Sequence, residues 1–198
     1  MTKSTASCVV IGMALTVAAG PSLPSSAAQT TEPLIEWSKS RKLRRADFKG
    51  RVAAIGNTAA RSFIVVQASW QCENGSLVAT IKAVFDPSRS TWSPGQESFS
   101  ATNRRMTTAG GDSGLLEHEQ THFDIAELFA RKIRAHLEQL TDACTRPGAT
   151  VPLGAVIEDY QRDLDQEQAR YDRETTFGTD ARMQWNWTSK IRKALDSR

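Results

Sequence analysis

Two stretches in the N-terminal half alternate apolar and polar residues with the period of a β-strand. They run over residues 62–72 and 76–85, and Asn74-Gly75 lies between them. Asn-Gly between alternating stretches is the strongest short signal for a β-hairpin. One face of each strand is apolar and is predicted to pack on helices: Ile64, Val66, Ala68, Trp70 and Cys72 on the first, and Leu77, Ala79, Ile81, Ala83 and Phe85 on the second.

The C-terminal half has the 3.6-residue period of helices. Three helices are predicted, over residues 114–141, from after Pro152 to Thr175, and over residues 181–195. Residues 86–112 are rich in Pro and Gly and predict a long connection, with a short strand near residues 98–102. The pattern therefore predicts an α+β fold, in which an N-terminal antiparallel sheet (29–110, mainly β) packs on a helical half (111–198, mainly α).

The N-terminus has the layout of a secretory signal peptide, which we place at residues 1–28. Lys3 precedes an apolar run over residues 8–19, and small residues follow up to Ala28. The run is short for a membrane span, and Pro and Ser rather than basic residues follow it, so we expect no membrane anchor after cleavage. Residues 29–198 are expected to form a single exported domain, periplasmic or extracellular.

Cleavage would leave Cys72 and Cys144 as the two cysteines of the mature chain. In an exported protein such a pair favours a disulfide over two reduced, buried thiols. It would close a loop of about seventy residues and stabilise the fold by roughly 4 kcal/mol.

The charge balance does not favour nucleic-acid binding. The formal net charge is +3, and RKLRR at residues 41–45 is a local basic cluster. Such a cluster is usually a solvated strand or loop face.

The first predicted helix carries His118 and His122, two of the three histidines of the chain, with Glu119 between them. At about 100° per residue, all three fall within the apolar arc of the helix, where buried polar groups need partners. Two imidazoles one turn apart can bind zinc, and the glutamate can polarise a bound water. The alternative is a pair of core histidines bonded to backbone carbonyls. His136 lies roughly 20 Å along the helix from His122 and cannot reach the same ion.

The opposite side of this helix carries Asp124, Glu127 and Arg131. They point away from both imidazoles, and Glu127 and Arg131 have the spacing of a favourable ion pair. We predict a solvated face or a contact with a second domain.

Catalytic zinc normally has three protein ligands and an open position for water. No acidic residue that follows His122 on its helix points the right way, so the third ligand is expected on the second helix. Glu174 lies nearer the centre of that helix's inner face than Asp172, so Glu174 is predicted and Asp172 is the reserve. Tyr171, one turn before Glu174, is a candidate donor to an oxyanion, with an ordinary core tyrosine as the alternative.

Several segments of the chain resemble those of a known protein family. They are RKLRRADFKG, Ser90-Thr91-Trp92, LLEHEQTHFDIAELFAR, YDRET, and the later Gln184 and Trp187. From about residue 36 to residue 187 they resemble a bacterial family of unknown function, described as predicted secreted zinc-dependent proteases. The resemblance implies a zincin-like metalloprotease, with His118 and His122 as ligands and Glu119 as general base.

The chain departs from this family at one position of the site. Members often read Tyr-Asp-x-Glu-Thr-x-His-Gly, and Phe177 stands where that histidine would be. If the histidine is the family's third ligand, this chain lacks it. If Glu174 is the ligand, Phe177 is only a wall residue.

The predicted function is that of a zinc-dependent metallopeptidase in which Zn²⁺ activates a water molecule and Glu119 moves the proton. The expected substrate is a protein or peptide, with cell-wall peptide amides as an alternative. The rival hypothesis is a non-catalytic exported protein with a structural or degenerate metal site.

Overall fold

The computed structural model describes residues 32–51, 60–93, 112–140, 144 and 153–197. The predicted signal peptide and the predicted short strand near residues 98–102 lie outside these ranges.

A long antiparallel hairpin forms the centre of the sheet. Strands β3 (Ile64–Glu73) and β4 (Ser76–Phe85) pair from Ile64 opposite Phe85 to Glu73 opposite Ser76. Asn74 and Gly75 have φ values of 51° and 81°, and a two-residue hairpin turn of type I′ needs both to be positive. The predicted hairpin is therefore confirmed, and its predicted apolar face packs on the core except at Cys72, which is exposed.

Short strands extend this architecture at two places that the sequence analysis did not predict. Strand β1 (Ile35–Glu36) pairs with the outer edge of β4, which gives a three-stranded sheet in the order β1-β4-β3. Strands β2 (Ala60–Arg61) and β5 (Thr91–Trp92) form a separate antiparallel pair. Strand β2 leads into β3, so the pair lies at the start of the hairpin.

Three helices follow the sheet, close to the predicted bounds. They are α1 (Asp112–Glu138), α2 (Leu153–Glu174) and α3 (Ala181–Asp196). Helix α3 begins after Asp180, whose side chain accepts from the backbone N–H of Met183 as an N-cap. Helix α1 is central, since it contacts β3 and β4 as well as α2 and α3. The predicted α+β fold is confirmed. Within the described ranges, none of the helices is both long and apolar enough to span a bilayer.

The polar side of α1 is buried, contrary to the predicted solvated face. Asp124 is 1% exposed and accepts hydrogen bonds from the Trp37 indole at 2.8 Å and the Gln120 amide at 2.7 Å. Glu127, 7% exposed, accepts from Arg131 and from Arg134. The chain around Trp37 covers this side of the helix, and such long-range packing leaves no periodic signal on α1 itself.

The predicted disulfide joins Cys72, near the end of β3, to Cys144, whose Cα atom is 5.6 Å away. The two residues are 72 positions apart, so the bond ties the hairpin to the segment between α1 and α2. This pairing is compatible with an exported protein.

Candidate metal centre

Two imidazole nitrogens and one carboxylate oxygen converge between α1 and α2. Oδ1 of Asp172 lies 2.9 Å from Nε2 of His122 and 3.2 Å from Nε2 of His118. The two Nε2 atoms are 3.2 Å apart. The side chains are 5%, 12% and 30% exposed for His118, His122 and Asp172, so the cluster lies at the edge of the core and is reachable from solvent.

These distances suit a single metal ion. Zinc bound tetrahedrally at about 2.0–2.1 Å places neighbouring ligand atoms roughly 3.3 Å apart. The three observed separations, 3.2, 3.2 and 2.9 Å, are close to the edges of such a tetrahedron. Two imidazoles and one carboxylate are also a donor set that zinc accepts in catalytic sites, with the fourth position left for water. The residues therefore fit a metal ion. Zinc is one of the common ions whose ligand types and ligand spacing they match.

The third member of the cluster is Asp172, the reserve candidate, rather than Glu174. One oxygen of Glu174 accepts from Arg170 at 2.8 Å, and the other accepts from the Trp187 indole at 2.8 Å. Both oxygens of Glu174 are thus engaged by other side chains, and Glu174 is not part of the cluster with the two imidazoles. Glu174 is predicted from its angle on the inner face of α2, but the side chain that reaches both imidazoles is the shorter Asp172. Asp172 replaces Glu174 as the candidate ligand.

The electrostatics of the cluster favour positive charge. Burial by itself lowers the pKa of His122, but the bond to Asp172 and the charges of Glu119 and Asp172 outweigh it, so this pKa is raised. Burial would raise the pKa of Asp172, yet hydrogen bonds and charge from the two histidines hold it well below its usual range. The ionised Asp172 thus favours a proton on His122, and that proton offsets the charge of Asp172.

Glu119 is buried next to the cluster and is held by the chain that enters the hairpin. Its Oε2 accepts from the hydroxyl of Ser62 at 2.5 Å and from the backbone N–H of the same residue at 3.1 Å. Among the described residues, both donors fall on this one oxygen. The Ser62 contact explains how a carboxylate 4% exposed is stabilised, and it fixes the carboxylate beside His122.

Tyr171 has the core role that was the alternative to oxyanion binding. It is fully buried, and its hydroxyl lies 2.7 Å from Oε1 of Gln184 and 3.3 Å from the carbonyl of His118. Its ring stacks on that of His118 with centroids 4.7 Å apart. Burial raises the pKa of Tyr171 far above its usual value. Tyr171 supports the His118 ring, and its hydroxyl is engaged inside the protein.

A left-handed turn after α2 closes the back of the site. Thr176, Phe177 and Gly178 all have positive φ, at 50°, 53° and 77°. A Cβ on Gly178 would lie 2.9 Å from Cγ of His118, so only glycine fits there. Phe177, at the position where a histidine was expected, is 68% exposed. Thr176 is β-branched and thus strained in this conformation, which is typical of functional sites.

Sequence reasoning missed the residues that hold the site from outside. Ser62 lies at the start of a predicted strand, and no pattern in the sequence marks Gln168, whose amide contacts His122. Gln184, which contacts His118, was noted only as part of the resemblance. A polar residue on the inner face of a helix is a weak signal, and pairing it with a histidine requires the fold.

Comparison with known proteins places the chain in a family. Residues 27–178 match the model of a family described as bacterial protein of unknown function, DUF922. The match covers most of the chain, so the protein belongs to this family. Neither the curated proteins nor the solved structures contain a match to it.

Proposed function

We propose that this protein is an exported zinc-dependent metallopeptidase. The observation that supports this most is the convergence of His118, His122 and Asp172 within hydrogen-bond distances of one another, beside a buried Glu119. A carboxylate one residue after the first histidine is the arrangement in which glutamate serves as general base in zinc peptidases. The disulfide between Cys72 and Cys144 is consistent with export.

In this proposal, each residue has a separate role. His118, His122 and Asp172 would hold the ion. The bound ion supplies a Lewis acid that lowers the pKa of a water molecule and polarises a carbonyl group. Glu119 accepts the proton of the attacking water and delivers it to the leaving amine nitrogen. Because Ser62 engages Oε2 of Glu119, Oε1 is the oxygen that would take the proton.

The substrate is a peptide bond in a protein or in cell-wall peptide. Both carry the amide carbonyl that the ion would polarise, and the residues of the cluster do not discriminate between them. Assays with both substrate classes are therefore part of the test.

The second candidate is a non-catalytic exported protein with a structural metal site. Its support is the pair of donors that Ser62 directs at Glu119, because a carboxylate bonded in this way also links the hairpin to α1. Metal binding without hydrolysis is the behaviour that this alternative predicts.

The test combines metal analysis with a matched pair of glutamate variants. Protein stripped with a chelator and reloaded with one equivalent of zinc is assayed on unstructured protein substrates and on cell-wall peptides. Glu119→Gln should keep the zinc and lose turnover by about 10²–10⁴-fold. Glu117→Gln is the control, since Glu117 lies on the same helix but pairs with Arg192 at the surface. Undiminished turnover in Glu119→Gln would refute the assigned base, and zinc binding without any hydrolysis would favour the structural alternative.

A further inference from the structure

Each imidazole of the cluster contacts a glutamine through its second ring nitrogen. Nδ1 of His122 lies 2.5 Å from Oε1 of Gln168 on α2. Nδ1 of His118 lies 3.1 Å from Oε1 of Gln184 on α3. The family match ends at residue 178, so the partner of His118 comes from a helix beyond the matched residues.

The orientation of the Gln168 amide fixes the proton on His122. Nε2 of Gln168 donates to the backbone carbonyl of His122 at 3.0 Å, and a carbonyl can only accept. The amide oxygen of Gln168 must therefore face Nδ1 of His122, and it can only accept as well. His122 consequently carries its proton on Nδ1 when neutral, and the lone pair is on Nε2, which faces Asp172.

A longer chain of hydrogen bonds has the same effect on His118. The hydroxyl of Thr121 donates to the carbonyl of Glu117, so the contact between Thr121 and Thr188 needs the proton of Thr188. Thr188 then accepts from Nε2 of Gln184 at 3.0 Å. The carbonyl of Glu117 can only accept, and this fixes the direction of each hydrogen bond in the series from Thr121 to Gln184.

The amide oxygen of Gln184 is left to face the site. It accepts from the hydroxyl of Tyr171 at 2.7 Å and, with its second lone pair, from Nδ1 of His118. His118 is thereby also held with its proton on Nδ1. Both Nε2 lone pairs then point at the space beside Asp172, and three acceptors that converge in this way need a cation.

We propose that Gln168 and Gln184 are positioning residues that lock both imidazoles in the Nδ1–H form and thereby set the metal affinity of the site. The inference rests on the metal centre of the proposed function, but it does not depend on peptidase activity. Metal-bound histidines generally donate their other ring N–H to such a partner, which orients the ring and raises its basicity. Through Gln184 and Thr188, helix α3 becomes part of the metal site.

The direct test is the tautomer of each histidine in the metal-free protein. Protein labelled with ¹⁵N at histidine is examined by long-range ¹H–¹⁵N correlation NMR, at a pH high enough to make both rings neutral. We expect His118 and His122 to be protonated on Nδ1 and unprotonated on Nε2. Protonation on Nε2 of either ring would overturn the assignment for that glutamine.

Variants test the consequence for metal binding. Gln168→Ala and Gln184→Ala should each weaken zinc binding by about 10–100-fold in a chelator competition. Gln184→Glu, unlike Gln184→Ala, keeps an oxygen acceptor for Nδ1 of His118. Its zinc affinity should therefore be at least that of the wild type. Gln161→Ala is the control, because the amide of Gln161 bonds Asp165 at the surface of the same helix, and zinc binding should not change.

The outcomes separate this inference from the proposed function. Zinc affinity equal to wild type in both alanine variants would overturn the inference even if the protein hydrolyses peptides. Reduced affinity rescued by Gln184→Glu, in a protein without peptidase activity, would support the inference while the catalytic proposal fails. If an alanine variant does not fold, the inference is tested by the histidine tautomers of the wild-type protein and by the zinc affinity of Gln184→Glu.

Discussion

Ser62 holds Glu119 with two donors, its hydroxyl at 2.5 Å and its backbone N–H at 3.1 Å, across the boundary between hairpin and helix. The contact joins the first residue after β2 to the glutamate between the two histidines. The sheet thereby determines where the proposed base lies.

Removing the Ser62 hydroxyl should weaken both the fold and the proposed catalysis. A hydrogen bond to a charged group contributes about 1.5–3 kcal/mol, so Ser62→Ala should lower the free energy of unfolding by that amount. Turnover should also fall, because Glu119 loses one of the donors that orient it, whereas zinc affinity should stay the same. Urea unfolding and zinc titration measure these effects. Ser69→Ala, on the exposed side of β3, is the control and should change stability by less than about 0.5 kcal/mol.

Two acidic residues on α2 should differ sharply in their effect on zinc. Asp172→Asn removes a proposed ligand and should weaken zinc binding by more than the about 10–100-fold expected for an outer partner. Glu174→Gln removes an exposed ion pair with Arg170 and should leave zinc affinity within about twofold, with less than about 1 kcal/mol lost in stability. Competition titrations on the two variants compare them directly. Loss of zinc binding in Glu174→Gln, with binding intact in Asp172→Asn, would show that Glu174 is the third ligand after all.

Gly178 and Gly75 form a matched pair for testing the back wall of the site. Both have positive φ, 77° and 81°, so alanine is strained at either position by about 1–2 kcal/mol. A Cβ at Gly75 meets nothing within 4 Å, whereas one at Gly178 would press on His118. Gly75→Ala should therefore reduce stability alone, and Gly178→Ala should reduce stability further and also weaken zinc binding. Equal effects of the two variants on stability and zinc would argue against this role of the turn.

The stability of the metal-free protein should fall as the pH rises through the raised pKa of His122. The pKa of His122 is raised in the fold, so its protonated form stabilises the protein below the unfolded pKa of about 6.5. This contribution is lost as the pH rises through the raised folded value. Saturating zinc should reverse the trend, because protons and metal compete for the same nitrogen. Urea unfolding from about pH 6 to about pH 9 measures both slopes. His122→Gln should abolish the metal-free slope, and a slope that persists in this variant would assign the effect to another group.

The main elements could be predicted because their signals are local. The Asn74-Gly75 turn specifies its own positive φ values, and the alternating residues of β3 and β4 need only one another and a helix to cover them. The three helices follow from periodicity. By contrast, β1 and β2 are two residues long and exist only through partners distant in sequence, so no local pattern marks them.

The site was predictable where one helix carries it and unpredictable where several elements meet. His118, Glu119 and His122 share a helix, so their spacing was enough to bring them together. The third candidate ligand depends on which carboxylate of α2 is free to face the imidazoles. Glu174 accepts hydrogen bonds from Arg170 and Trp187, which leaves Asp172. Such competition between partners is decided by three-dimensional packing.

Anomalous diffraction at the zinc edge shows whether His118, His122 and Asp172 together bind one zinc ion. Crystals of the protein loaded with one equivalent of zinc should show a single strong peak about 2.0–2.1 Å from Nε2 of both histidines and from an oxygen of Asp172. A zinc peak elsewhere in the protein, or no zinc at these three residues under saturating zinc, would show that they do not form the metal site.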